Sequence, residues 1–171
     1  MLCIGIASPL EISMIEDTLG MSSSWYGIGN TVEGIGMLLA SGFVLGIIKK
    51  LKPESIILLG LFSAAMSYGV IGIAGNIGVY LFGAGLVGVT STFCPLGFKT
   101  AVQIQSETNL VGRTFTASRF TILITRMIGS LLVGGMLTLW NIRVIYYLLA
   151  GFLVITAVAY YFVNRQKELL H

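Results

Sequence analysis

The chain has 171 residues, 56% of them hydrophobic and only 10% charged, with a net charge of +3. A soluble domain carries about a quarter charged residues, so a mean hydropathy of +0.92 excludes a water-borne globule and predicts an all-α integral membrane protein. Two cysteines in apolar runs and a single histidine at the last position argue against a disulfide framework, a metal centre and histidine-based catalysis. No cofactor and no nucleic-acid partner is expected, and the chain does not read as an enzyme.

The elements follow in chain order. "MLCIGIASPLEISMI" (1–15) is apolar but short and is interrupted by Pro9 and Glu11, so it reads as a partial span. "WYGIGNTVEGIGMLLASGFVLGII" (25–48) is a full span that ends at the basic "KKLKPE". From Ser55 to Phe98 there is no charged residue. As one helix that run would measure roughly 66 Å, about twice a ~30 Å hydrocarbon core. It must therefore fold back, and Ala74-Gly75-Asn76 is the natural turn, giving spans 55–74 and 77–98. Two more follow at 119–140 and 143–163, joined so closely that they form an antiparallel hairpin, and 164–171 reads as a tail. The expected total is six helices, the first truncated.

Lysine and arginine set the orientation. Lys49, Lys50 and Lys52 lie in one connection, Lys99 and Arg113 in a second, Arg165 and Lys167 in the tail. With these spans all three fall on one side, while the other side has Glu16, Asp17 and only Arg143. A multi-pass protein with both termini cytoplasmic is expected. Trp25, Tyr26, Trp140, Tyr146 and Tyr147 should then mark the outer interface, and Tyr160 and Tyr161 the inner one.

Lipid gives helices little hydrophobic reason to associate, so small residues matter where backbones meet. Gly78, Gly85, Gly88, Thr92 and Pro95 share one face of span 77–98, either packed tightly or lining a cavity. Pro95 removes a backbone hydrogen bond and should bend that helix. Gly42 with Gly46, and Ser63 with Ser67, are small-residue pairs expected to pack.

Glu33 is the outstanding polar group. A charge at the centre of a membrane helix costs roughly 2.5–3.5 kcal/mol on insertion scales. The carboxyl must be protonated, paired or facing a wet cavity, the conditions under which a side chain carries a proton. A structural hydrogen bond or ion pair between helices is the equal alternative. Asn30, Met37 and Ser41 continue a stripe on its side of the helix. Arg126, deep in span 119–140, is the matching cation, and a direct Glu33–Arg126 pair is one expectation. Gln103, Gln105, Glu107, Thr108 and Asn109 should form a solvated loop ending at Gly112-Arg113, with gating through Arg113 as the sharper alternative.

Several stretches carry a resemblance: "WYGIGNTVEGIGMLLASGFVLGIIKKLK" (25–52), "PLGFKTAVQIQSETNLVGRTFTASR" (95–119) and the run after them. They resemble the C-terminal half of a major facilitator superfamily transporter, most of all its drug- and macrolide-efflux branch. That branch often has Glu followed by Gly-x-Gly in its eighth helix, here Glu33 to Gly36. It also has a proline, a "VQIQ"-like tail and a "GR-x-F-S" turn, here Pro95, Val102 to Gln105, and Gly112 to Phe115 with Thr116 last. The basic loop after the second span lacks the aspartate and glycine of the superfamily's signature loop.

The resemblance implies half of a major facilitator fold, six transmembrane helices as two three-helix repeats in the cell membrane. It implies proton-coupled efflux of amphipathic drugs such as macrolides by alternating access. Glu33, Arg126, Asn30 and Thr92 would serve proton coupling or the substrate cavity, and Pro95, Gly112 and Arg113 kinking or gating. The implied partners are membrane lipid, a small amphipathic substrate, protons, and either a missing N-terminal six-helix half or a second copy. A non-transporting truncated remnant, or a packing subunit of a membrane complex, is the competing expectation.

Overall fold

A computed structural model describes residues 2–47, 51–105 and 111–169. Helix α1 (Leu2–Ser13) runs on as one π-helical stretch, Met14–Thr18. Then come α2 (Ser24–Ile47), α3 (Pro53–Ile73), α4 (Ile77–Gln105), α5 (Val111–Leu139) and α6 (Ile142–Leu169). No strand occurs among the described residues.

Local chemistry sets the breaks. Gly20, at φ +63°, makes the turn after α1 that an L side chain would resist. Pro53 opens α3 at a position where its missing N–H costs nothing. Asn76 caps α4, its Oδ1 accepting the Val79 N–H at 3.0 Å. Asn141 does the same for α6, accepting the Arg143 N–H at 3.1 Å.

Several helices outrun the apolar stretches that reveal them. Gln103 and Gln105 belong to α4, and Gly112 and Arg113 lie in the first turn of α5, so these four are helical rather than looped. Glu107, Thr108 and Asn109 lie outside the described residues. Residues 164–169, the described part of the expected tail, continue α6 as helix. A helix satisfies its own backbone, so polar side chains beyond the hydrocarbon do not end it.

Among the described residues four helices are long and apolar enough to cross a membrane: Pro53–Ile73, Ile77–Ile104, Gly112–Leu139 and Ile142–Gln166. The chain is a multi-pass membrane protein. Helix α2 matches them in length at 24 residues and carries the polar Asn30, Thr31 and Glu33 among its apolar side chains. Helix α1, with 12 α-helical residues, falls short of the ~20 a full crossing needs.

Helix α3 is the hub, packed on α4 along one side and on α6 along another; α4 also packs on α2, α5 on α1, and α1 lightly on α6. An apolar cleft of about 470 Å³ separates α1 from α6, lined by Leu2, Ile6, Leu149 and Phe152 among others. This pattern has a regularity. Exchanging α1 with α4, α2 with α5 and α3 with α6 turns α2·α4 into α5·α1 and α3·α4 into α6·α1, and returns α3·α6 to itself.

The core joins Leu10, Met14 and Ile15 from the first helix to Tyr68, Ile71, Tyr80, Ile145 and Tyr146. Tyr146 is therefore not an interfacial ring: its relative exposure is 0%, against 47% for Tyr147. Adjacent residues on a helix point about 100° apart, and Tyr146 takes the inward direction.

Small-residue pairs divide likewise. Ser63 and Ser67 do face a neighbour: the Thr90 hydroxyl donates to Ser63 Oγ at 3.1 Å, and the buried Ser67 donates to the Ser63 carbonyl at 2.6 Å. Gly42 and Gly46 do not, since a Cβ at either would meet nothing within 4 Å. Their expected packing is not found among the described residues. Thr90→Val is expected to cost only about 0.6 kcal/mol, the usual worth of such a bond between membrane helices. Unfolding in mixed micelles measures it.

Arg143 does more than mark a loop. Its guanidinium donates to the Ala74 carbonyl at 3.1 Å, closing the C-terminal end of α3 from the α5–α6 turn. Such an end leaves carbonyls without helical donors. Arg143→Gln should cost about 1–2 kcal/mol, read as a lower unfolding midpoint and faster proteolysis at the α3–α4 turn.

Candidate functional site: charges at two helix crossings

Glu33 sits on α2 where α4 crosses it, and the crossing is made of glycine. A Cβ on Gly88 would collide with the Glu33 carbonyl oxygen, and one on Gly36 with the Gly85 carbonyl oxygen. With no side chains between them the backbones meet directly, which draws neighbouring polar groups together. Ser91 Oγ donates to Glu33 Oε1 at 3.4 Å. Thr92 Oγ1 donates to the Met37 carbonyl at 3.3 Å as well as to Gly88 in its own helix. The Gly85–Gly88–Thr92 face is thus a packed interface, the first of the two alternatives open for it, and Thr92 is a strap between helices.

Pro95 lies inside α4, exposed, and the helix continues past it to Gln105. Proline has no N–H, so the carbonyl one turn back, that of Ser91, lacks its helical donor. The residue whose hydroxyl reaches Glu33 therefore also carries a spare acceptor. Asn30 and Ser41 are exposed on α2, with the Ser41 hydroxyl spent on the Met37 carbonyl at 2.7 Å.

Arg126 occupies the same kind of place on α5. A Cβ on Gly5 would collide with the Arg126 carbonyl oxygen, and one on Gly129 would lie 2.8 Å from the Leu2 carbonyl oxygen. Gly5, Leu2, Arg126 and Gly129 here do what Gly88, Gly85, Glu33 and Gly36 do at the other crossing. The residues align accordingly: "EGIGMLLASG" (33–42) with "RMIGSLLVGG" (126–135), and "IGIAS" (4–8) with "VGVTS" (87–91). Glu33 and Arg126 are thus equivalent positions carrying opposite charge. They attract across the interior, but no direct ion pair joins them, so the expected direct Glu33–Arg126 pair is absent.

Glu11 is the residue that sequence reasoning passed over. It lies in electrostatic reach of Glu33, and Tyr68 feels the field of Glu11, Glu33 and Arg126 together. Tyr68 and Tyr146 stack at a tilt with ring centres 6.1 Å apart, and the Tyr146 hydroxyl is buried without a hydrogen-bond partner. The available signal was a carboxylate flanked one turn either way by inward apolar residues. Gly112 and Arg113 are exposed at the start of α5, away from this cluster. Among the described residues no three histidine, cysteine or acidic side chains gather as a metal site.

The arrangement defines a multi-pass helical membrane protein with an acidic residue at one glycine-lined helix crossing and a basic residue at another. Comparison with family models, curated proteins and solved structures finds no match to the chain.

Proposed function

We propose that the chain is the C-terminal half of a secondary active transporter that exports amphipathic drugs, macrolides among them, in exchange for protons. The supporting observation is the pair of equivalent crossings with Glu33 at one and Arg126 at the other. Transporters of this class are built from inverted repeats whose substrate and coupling-ion sites lie near the bilayer midplane. Each unit holds three helices, and in this reading the short α1 completes the first unit, so the second enters from the opposite face, as an inverted repeat must. Six passes with both ends cytoplasmic in the cell membrane follow from the same reading.

Glu33 is the proton carrier in this reading. Deprotonated, it accepts from the Ser91 hydroxyl; protonated, it donates to the same hydroxyl oxygen. A group with a partner in either state releases its proton at little cost, and a cationic drug competes for the same carboxylate. Asn30 extends the polar stripe on the substrate side, Thr92 holds the crossing, and Pro95 permits α4 to flex. Gly112 and Arg113 serve at the cytoplasmic mouth. The open glycines of α2 (Gly34, Gly42) and of α5 (Gly134, Gly135) offer flanks for a six-helix companion or a second copy, and lipid covers the rest.

Everted vesicles from cells producing the chain within its complete transporter are expected to accumulate ethidium when their interior is acidified and to release it when the gradient collapses. Accumulation no greater than in vesicles lacking the chain overturns the proposal.

A further inference from the structure

The two crossings are alike in backbone but opposite in chemistry. In the register that matches Gly5 with Gly88, the counterpart of Ser91 is Ser8, and the counterpart of Glu33 is Arg126. At α2·α4 a hydroxyl faces an acceptor. At α1·α5 the equivalent pair is a hydroxyl and a guanidinium, which together offer donors and no anion.

Among the described residues Arg126 makes no hydrogen bond and no ion pair, and both it and Ser8 are exposed. It stands near the middle of the 29-residue α5, ~20 Å from either end at ~1.5 Å per residue. The apolar stretch of α5 begins at Arg119, ~10 Å of helix away, so a lipid phosphate is the rival occupant that the test must separate. Arginine in a membrane helix normally has a partner or a wet cavity, and its planar fork suits carboxylate, sulfonate and phosphate groups.

We propose that the α1·α5 crossing is an anion subsite in which Arg126 and Ser8 hold the acidic group of an amphiphile. Combined with Glu33 at the equivalent crossing, this makes the preferred substrate a zwitterionic amphiphile, its ammonium group toward α2 and its acidic group toward α5. The zwitterion rests on the transport reading; the binding of an anion at Arg126 does not.

The full-length chain, with ¹⁵N-labelled arginine, is placed in phosphatidylcholine nanodiscs and titrated with laurate at pH 8. The Arg126 Nε–H resonance, assigned by its loss in Arg126→Gln, should shift saturably while Arg119 stays still. Dodecanol should leave it unmoved, and Ser8→Ala should weaken laurate binding about threefold. No laurate shift, or an equal shift with dodecanol, overturns the subsite. A shift in phosphatidylglycerol nanodiscs without laurate also overturns it, assigning Arg126 to a headgroup. A laurate shift in a chain that moves no ethidium upholds the subsite and removes only the transport reading.

Discussion

Gly88→Ala should unpack α2 from α4, whereas Gly42→Ala should leave the protein as stable as before or slightly more so. The two substitutions add the same methyl group to helices of the same bundle. At Gly88 the new carbon falls on the Glu33 carbonyl, and the Met37 amide nitrogen lies 2.9 Å from it, all of it backbone that cannot rotate aside. The helices must separate, breaking the Thr92 strap and the Ser91–Glu33 contact together. Forcing extra carbon into a packed interface costs 1–3 kcal/mol, and a collision with main chain belongs at about 3 kcal/mol. At Gly42 nothing lies within 4 Å, so the substitution meets only the helix preference for alanine, worth up to about 1 kcal/mol. Gly5→Ala should behave like Gly88→Ala, because its Cβ would strike Arg126 in the same way. Reversible unfolding in mixed micelles compares all three; equal costs at Gly88 and Gly42 would refute the close crossing.

Glu33→Gln is expected to lower gradient-driven ethidium accumulation by about tenfold or more without changing the amount of protein in the membrane. Glutamine fills the same volume and still meets Ser91, so packing at the crossing survives. What goes is the exchangeable proton and the negative charge that a cationic drug shares. A hydrogen bond to a charged group is worth about 1.5–3 kcal/mol, or roughly tenfold to a hundredfold in an equilibrium. Glu33→Asp should retain part of the activity, since it keeps the titratable group on a shorter arm. Full accumulation by the glutamine variant would assign Glu33 a purely structural role.

Much of the helical layout was legible beforehand because hydrophobicity is a one-dimensional signal. A charge-free run from Ser55 to Phe98 has to cross lipid and return, and the turn at Ala74 to Asn76 follows from length and turn chemistry. Helix ends were less legible. Gln103, Gln105, Gly112 and Arg113 lie past the apolar stretches, where neither sequence polarity nor hydropathy distinguishes a wet helix from a loop.

The candidate site was half legible. Glu33 and Arg126 stand out as charges among apolar neighbours, and that needs no structure. Glu11 did not stand out, because a carboxylate in a short apolar segment is usually solvated. Tyr146 reads as interfacial in company with Trp140 and Tyr147, although a single step along a helix turns a side chain from the exposed face to the core. The internal repeat is faint in the chain: five residues on one helix, ten on another. It becomes evident once Gly5 and Gly88 are seen doing the same work.

By itself, then, the sequence determined that this protein belongs in lipid, that it is helical, and which few charges are costly there. Those properties depend only on composition and on spacing along the chain. Which glycines admit a neighbouring backbone, which face open space, and that Glu33 and Arg126 are equivalents were decided by tertiary structure alone. The physical reason is that a missing side chain has no partner written beside it. Its meaning lies in the helix that comes to rest against it.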